Sequence, residues 1–442
     1  MTVQLHAGPV GRHTEHYLDV VECFRADPMR SYHFHHLMVN FQIVGPFNRS
    51  AFETAVIELA RRNPIFRSTF RRLNGAWRQT IAADPPTTLV VHRSSDAADW
   101  RAATRAAIIA ENDKPISIES GPLVQFTVIE FKDAAVFLTK VHHIACDGWG
   151  IWVAMNQLLG LYMAALAGPS TLDSAPIPNL AAGDLLAFAV DEQTSLTSPE
   201  GRATLDWWKS YLADHAFVRA PLPERPQGFL SAVAHRLDAS TSRALEAIAK
   251  TRGIHVSYLL HAAFMKALAR HTGSDDLLVT FVKANRNEKN TAVAANFADW
   301  VMVRHRRDLS LPLAELAVDA ALDVGEAKEK YQPYWHVVRE VAPAQYFNDF
   351  GLTPYSFDFM PFLDPKLDFG QGVSFVLLRE MEVFPFRLTA TDIFCRASLV
   401  GNLTNAEQVV ELILVYHAGF LAEASVKAVL DHMTTELIAG AS

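Results

Sequence analysis

Two apolar runs, residues 123–131 and 135–144, flank the short link Lys132-Asp133-Ala134 and lead straight into an apolar helical pattern. That succession restricts the fold more than any other stretch. Short apolar runs joined by three residues predict an antiparallel hairpin. Trp152, Met155, Leu159, Tyr162 and Leu166 then recur at three- and four-residue spacing, and Gly168-Pro169 ends the pattern, which predicts a helix. The strand-to-helix junction reads His142-His143-Ile144-Ala145-Cys146-Asp147-Gly148. Histidine is the side chain best suited to move a proton near neutral pH. A nearby carboxylate can hold a loop or an imidazole, and glycine lets a substrate approach the backbone. The pattern suggests acyl transfer.

The rest of the first half alternates in the same way. Residues 36–44 are apolar with polar interruptions at Asn40 and Gln42, and Gly45-Pro46 ends them, which predicts a strand. Phe52, Ala55, Val56 and Leu59 share one helical face. Residues 66–70 read as a short strand, and Asn74-Gly75 as a turn before Trp77. Further on, residues 242–252 and 256–271 read as helices, and 277–283 as a buried strand running into Ala284-Asn285-Arg286. Thr404 and Glu407 form a capping-box pair that predicts a long helix through Leu421. Residues 361–386, with Pro361, Pro365, Gly370 and Gly372, read as an irregular functional loop.

At 442 residues the chain is expected to form two lobes. The Pro-, Ser- and Thr-containing stretch 168–179 is the candidate connection, giving an N-terminal lobe of residues 1–175 and a C-terminal lobe of 176–442. No run approaches the roughly 20 apolar residues of a membrane helix, and residues 1–10 show no secretion signal. Cys23, Cys146 and Cys395 form no paired framework, which fits a reducing compartment. A cytoplasmic enzyme without a membrane partner is the expectation. A net charge of −8 argues against nucleic acid. The basic clusters Arg61-Arg62, Arg71-Arg72 and Arg304-His305-Arg306-Arg307 read as solvated surface, with docking of an acidic partner as the other reading.

Along a strand, adjacent side chains point to opposite faces. His142 and His143 then face opposite ways, one structural and one available for chemistry. Spacing alone leaves the catalytic and structural readings level. A zinc reading finds no third ligand for His143 and Asp147, nor for the pair His33 and His35. Cys146 reads as a small buried filler rather than a nucleophile.

Together with its neighbours the junction resembles the HHxxxDG motif of the condensation domains of nonribosomal peptide synthetases, within the chloramphenicol-acetyltransferase-like superfamily. Arg61-Arg62-Asn63-Pro64-Ile65-Phe66-Arg67-Ser68-Thr69-Phe70 resembles the family's "RHExLRTxF" segment, and Gly121-Pro122-Leu123 its GPL. Trp207-Trp208-Lys209-Ser210-Tyr211-Leu212, residues 276–286 and the stretch from Asn296-Phe297 to Arg304 resemble later motifs, so the resemblance runs from about residue 36 to the end. The usual opening motif is not recognisable in residues 1–35, and Ala298-Asp299-Trp300 replaces Val-Asn-Thr. Asp368-Phe369-Gly370-Gln371-Gly372 only partly matches the DFGWG of plant-type acyltransferases.

The resemblance implies an α/β (α+β) fold of two chloramphenicol-acetyltransferase-like lobes in a V-shaped pseudo-dimer, each a mixed sheet flanked by helices. Residues 361–386 become a crossover loop, and a tunnel leads to the motif. It implies a free-standing enzyme that takes an acyl or aminoacyl group from a phosphopantetheine thioester on a carrier protein in trans. The group passes to a small-molecule amine or hydroxyl, giving amide or ester. An acyl-CoA-dependent O-acyltransferase is the alternative, and a noncatalytic recruiting module a third. No bound cofactor and no metal are implied. His143 becomes the catalytic residue and His142 a structural one. Asp147 pairs with Arg286, the Gly148 N–H is a donor to the thioester oxygen, and Trp149 lines the tunnel or packs in the core.

Overall fold

A computed structural model describes residues 5–24, 36–86, 89–215, 230–343, 353–360, 366–368, 372–378, 392–401, 408–418 and 421–441. The chain begins with β1 (Leu5–Pro9), α1 (Arg12–Phe24), β2 (His36–Val44) and α2 (Arg49–Arg62). There follow β3 (Ser68–Leu73), β4 (Ala76–Ala82), β5 (Val90–Ser94) and α3 (Trp100–Asn112). The expected hairpin is β6 (Val124–Glu130) with β7 (Ala135–His142), and the expected helix is α4 (Gly148–Ala167), trailed by α5 (Pro169–Asp173) and α6 (Ala182–Thr197). Next come α7 (Pro199–Leu212), β8 (Leu230–Arg236), α8 (Ala239–Arg252), α9 (Val256–Thr272), β9 (Leu277–Lys283) and β10 (Asp299–His305). Then follow α10 (Leu313–Glu329), α11 (Tyr334–Val341) and β11 (Tyr355–Met360). The last elements are β12 (Lys366–Asp368), β13 (Ser374–Leu377), β14 (Ile393–Gly401), β15 (Gln408–His417) and α12 (Glu423–Ala441).

The chain divides into two compact units, one of residues 1–195, 284–298 and 365–385, the other of 196–283, 299–364 and 386–442. This differs from a single boundary after residue 175. Helix α6 stays with the first unit because Ala182 and Leu185 are buried in its core, and the Gln193 amide donates to the Val10 carbonyl at 2.8 Å. The chain then returns twice. Residues 284–298 come back after β9, and β12 and β13 add to the first unit's sheet, so residues 361–386 are not irregular throughout.

In the first unit a six-stranded sheet runs β12-β13-β2-β7-β6-β5, and a smaller one β1-β4-β3. The large sheet is antiparallel except for β5 on β6. Cross-strand pairing sets Phe41 against Phe137, and Phe126 stacks on Phe137 at 5.6 Å. Phe52 of α2 meets Phe137 edge-on at 5.1 Å, and Phe375 of β13 lies 5.4 Å from it. This aromatic layer fixes β7 beneath α2 and α4, and the end of β7 is where the site begins. Asn74 and Gly75, at φ 51° and 80°, make the tight turn expected between β3 and β4.

The second unit is a sheet of order β10-β9-β11-β14-β15-β8. Strand β11 is parallel to both neighbours and the other pairs are antiparallel. Its strand β15 overturns the helix expected through Leu421; Thr404 and Glu407 lie outside the described residues. Residues 410–416 are buried on both faces apart from Ile413, and such a strand has no period-two polarity to separate it from a buried helix. Helix α4 likewise corrects the reading of apolar runs: it has the length and composition for a bilayer span, with half of its most apolar window buried.

Candidate active site

Strand β7 keeps its pairing as far as His142, which lies opposite His36 of β2. Alternation therefore does not separate the two motif histidines; a turn does. The Ala145 N–H donates to the His142 carbonyl at 2.8 Å, and the Ile144 N–H donates to His142 Nδ1 at 3.1 Å. A nitrogen that accepts is unprotonated, so the His142 ring is committed to closing its own turn. The His36 ring sits edge-on to it at 6.1 Å.

His143 is the first residue beyond the strand and keeps part of its surface exposed. Burial of the ring lowers its pKa below the ordinary 6.5; its own carbonyl and the Asp147 charge act upward, and His13 acts downward. That carbonyl accepts from Asn296 Nδ2 at 2.8 Å. The Tyr17 ring of α1 stacks on the imidazole with centroids 5.6 Å apart and planes 25° from parallel.

Asp147 is buried, and both its oxygens are taken. Oδ1 accepts from the Gly150 N–H at 2.6 Å, capping α4, and from Arg286 Nη2 at 2.7 Å. Oδ2 accepts from Arg286 Nη2 at 2.9 Å and from the Phe297 and Ala298 N–H groups at 2.7 and 2.8 Å. Arg286 in turn donates to the carbonyls of Asn290, Val293 and Ala295 and lies 4.7 Å over the Phe297 ring. The ion pair thus clamps residues 284–298 onto the start of α4. Gly150 lets the two come together, since a Cβ there would stand 2.4 Å from the Ala295 carbonyl oxygen. Gln157 of α4 adds a bond to the Ala292 carbonyl at 3.0 Å.

Gly148 opens α4, so its N–H is one of the donors that find no acceptor within the helix. Trp149 is 44% exposed, which excludes core packing, and its indole N–H donates to the Thr291 carbonyl at 3.0 Å. Cys146 is fully buried, and burial raises its thiol pKa well above 9.0, so it is no nucleophile. Among the described residues no group of three or more His, Cys, Asp or Glu side chains is arranged to hold a metal ion; His33 and His35 lie outside them. Asp147 has no free lone pair to offer one.

A condensation-domain family model matches residues 27–359. The chain belongs to the condensation-domain family. Condensation domains are amide-forming acyltransferases, and this chain is an acyltransferase of that family. Chondramide synthase cmdD of Chondromyces crocatus is 25% identical over 408 residues, covering 89% of this chain and 10% of the synthase. The chain therefore spans a tenth of that relative's length. Among solved structures, the X-domain from teicoplanin biosynthesis matches with a TM-score of 0.78 at 20% identity, over 98% of this chain and 94% of that one. The condensation domain of the Monacolin K polyketide synthase MokA matches with a TM-score of 0.77 at 17% identity, over 100% and 98%. The chloramphenicol-acetyltransferase-like fold of condensation domains is thus the fold of this chain.

Within this condensation domain, His142, His143, Asp147, Gly148, Trp149 and Arg286 all lie on one junction and the loop clamped to it. Sequence reasoning missed four contributors: Tyr17, His13, Gly150 and Asn296. A glycine two places past the DG pair was the available signal for close approach. Two of the basic clusters are not plain surface. Arg62 is buried and donates to the carbonyls of Leu172, Ala175 and Ile177. Arg304 is buried and bound to Asp276 and Asp214.

Proposed function

We propose that the chain forms an amide by moving an acyl or aminoacyl group from a carrier-protein phosphopantetheine thioester to an amine. The observation that carries this reading is His143: a residue that keeps part of its surface exposed, whose ring is held toward the uncharged form by burial, beside a carboxylate wholly engaged in holding a loop. The amine nitrogen attacks the thioester carbonyl carbon while the imidazole takes the amine proton. The resulting oxyanion accepts from the Gly148 N–H. It collapses by breaking the C–S bond, and the proton returns from the imidazole to the leaving sulfur, giving amide and free thiol. Asp147 and Arg286 hold the junction and take no proton. Juxtaposition of the two substrates supplies much of the rate. The substrate brings its own phosphopantetheine, and no resident cofactor enters a step.

The test offers acyl-carrier proteins in trans, acyl-CoA and acyl-N-acetylcysteamine thioesters, each with amine and alcohol acceptors, and weighs the products. Amide from carrier-bound or pantetheine-like donors supports the reading. Ester from acyl-CoA alone assigns the chain as an O-acyltransferase. Carrier binding with no product from any pairing contradicts a catalytic role.

A further inference from the structure

We propose that the second unit carries an anion site, in which Lys328 and Lys283, with His255 beside them, bind a phosphate group among the rings of Tyr258, Phe281 and Tyr331. The site is independent of the role given to His143. Three elements bring it together. Lys283 ends β9, Lys328 lies in the last turn of α10, and His255 caps the start of α9. Residues two apart on a strand share a face, so Lys283 lies on the side of β9 that carries Phe281. Lys328 Nζ stands 4.5 Å from the centroid of the Phe281 ring and 6.0 Å from that of Tyr258, and these two rings stack at 6.1 Å. Lys283 Nζ stands 4.5 Å over the Tyr331 ring.

A ring face attracts an ammonium group but carries no net charge to cancel it. Asp299 lies opposite Lys283 on β10 and favours its charge, while its Oδ2 already accepts from the Tyr331 hydroxyl and the Tyr334 N–H, both at 2.9 Å. Among the described residues no acidic group acts on Lys328. Burial pulls its ammonium below the ordinary 10.5, and the charge of Lys283 pulls it further. Burial likewise lowers His255; Lys328 adds to this, and Glu246 opposes it. Half-buried like charges that repel one another are costly unless an anion joins them. His255 Nδ1 accepts from the Ser257 N–H at 3.2 Å, so the neutral ring carries its proton on Nε2. Two ammonium groups and one N–H donate and none accepts. A phosphate, charged and rich in acceptor oxygens, is the complement of that set.

The test titrates the whole chain with inorganic phosphate and with coenzyme A, at an ionic strength held constant with chloride. Calorimetry and carbon-13 NMR of labelled lysine follow the binding, and no acyl transfer enters it. Phosphate should bind, and Lys328→Met and Lys283→Met should each weaken it by about 10- to 100-fold, the usual worth of a hydrogen bond to a charged group. Lys132→Met, on the exposed link between β6 and β7, should change nothing. Coenzyme A bound more tightly than phosphate, with the same loss in the two variants, identifies a phosphate ester as the ligand; equal or weaker binding identifies the free ion. Without phosphate Lys328→Met should melt no lower than the wild type, and phosphate should raise the melting temperature of the wild type more than that of the variant. The Lys328 signal, assigned with Lys328→Arg, should move with phosphate in the wild type, a measurement that stands even if Lys328→Met fails to fold. Absence of phosphate binding, binding unchanged in both methionine variants, or a Lys328 signal that stays in place overturns the proposal.

Discussion

Each unit contains a histidine pair, and the two are built in opposite ways. In the second unit His261 of α9 and His305 of β10 are fully buried and face each other Nε2 to Nε2 at 3.0 Å. His305 Nδ1 lies 3.2 Å from Asp323 Oδ2, and Arg307 Nη2 donates to Asp323 Oδ1 at 2.6 Å. Phe281 and Phe357 close on His261 at 5.4 and 4.9 Å. Only one proton fits between two facing nitrogens, so this pair requires one donor and one acceptor. In the first unit the histidines are consecutive, and the turn pulls them apart. His142 closes that turn, whereas His143 keeps part of its surface exposed. A sealed, paired imidazole supports the fold; the histidine that keeps part of its surface exposed is the one placed to exchange a proton.

His143→Ala breaks this contrast most sharply: kcat should fall by roughly 10²–10⁴-fold, the usual worth of acid–base catalysis, with the melting temperature held. A folded variant near wild-type turnover would remove the proton-acceptor role. Asp147→Ala leaves Arg286 buried without its partner and should cost about 3–5 kcal/mol, read by urea unfolding. Wild-type stability together with lost activity would move Asp147 into the chemistry. Gly150→Ala presses on the Ala295 carbonyl and should cost about 1–3 kcal/mol; an unchanged urea midpoint would mean that the loop is not clamped there.

The smallest effect concerns pH. Burial lowers both His261 and His305 below 6.5; like charge from His305 and Lys328 adds to this at His261, while Asp323 opposes and Arg307 reinforces it at His305. The fold therefore holds these rings neutral where the unfolded chain protonates them. No penalty exists above pH 6.5, and stability declines as pH falls below it. The slope is up to about 1.4 kcal/mol per pH unit per histidine. His261→Phe should flatten the dependence of the urea midpoint between pH 7 and 5, and an unchanged slope would show that the sealed pair already titrates in the fold.

Much of the first unit was legible because its strands are half-polar or bounded by turns. Strand β2 keeps its expected limits, and the hairpin β6–β7 and helix α4 are set by Asp133 and by Gly168 at φ 116°. Strand β15 was not legible, since burial on both faces erases the alternation that marks a strand. Arg304 was read as surface because a charge run in sequence does not reveal that β10 turns this side chain toward Asp276 and Asp214. The Asp147–Arg286 contact came only through resemblance, as 139 residues separate the partners. Tyr17 had no signal at all: its stack on His143 comes from a helix docked by Leu18, Asp19 and Glu22, and stacking across a fold leaves no spacing to read.

The most direct measurement is the pH dependence of kcat/KM for amide formation, in the wild type and in His143→Ala. Protonated His143 cannot take a proton, and its pKa lies below 6.5. The rate should be full at pH 7 and fall along one acid limb with a midpoint under 6.5, and that limb should vanish in the variant. A midpoint above 6.5, or the same limb persisting in His143→Ala, would contradict the account.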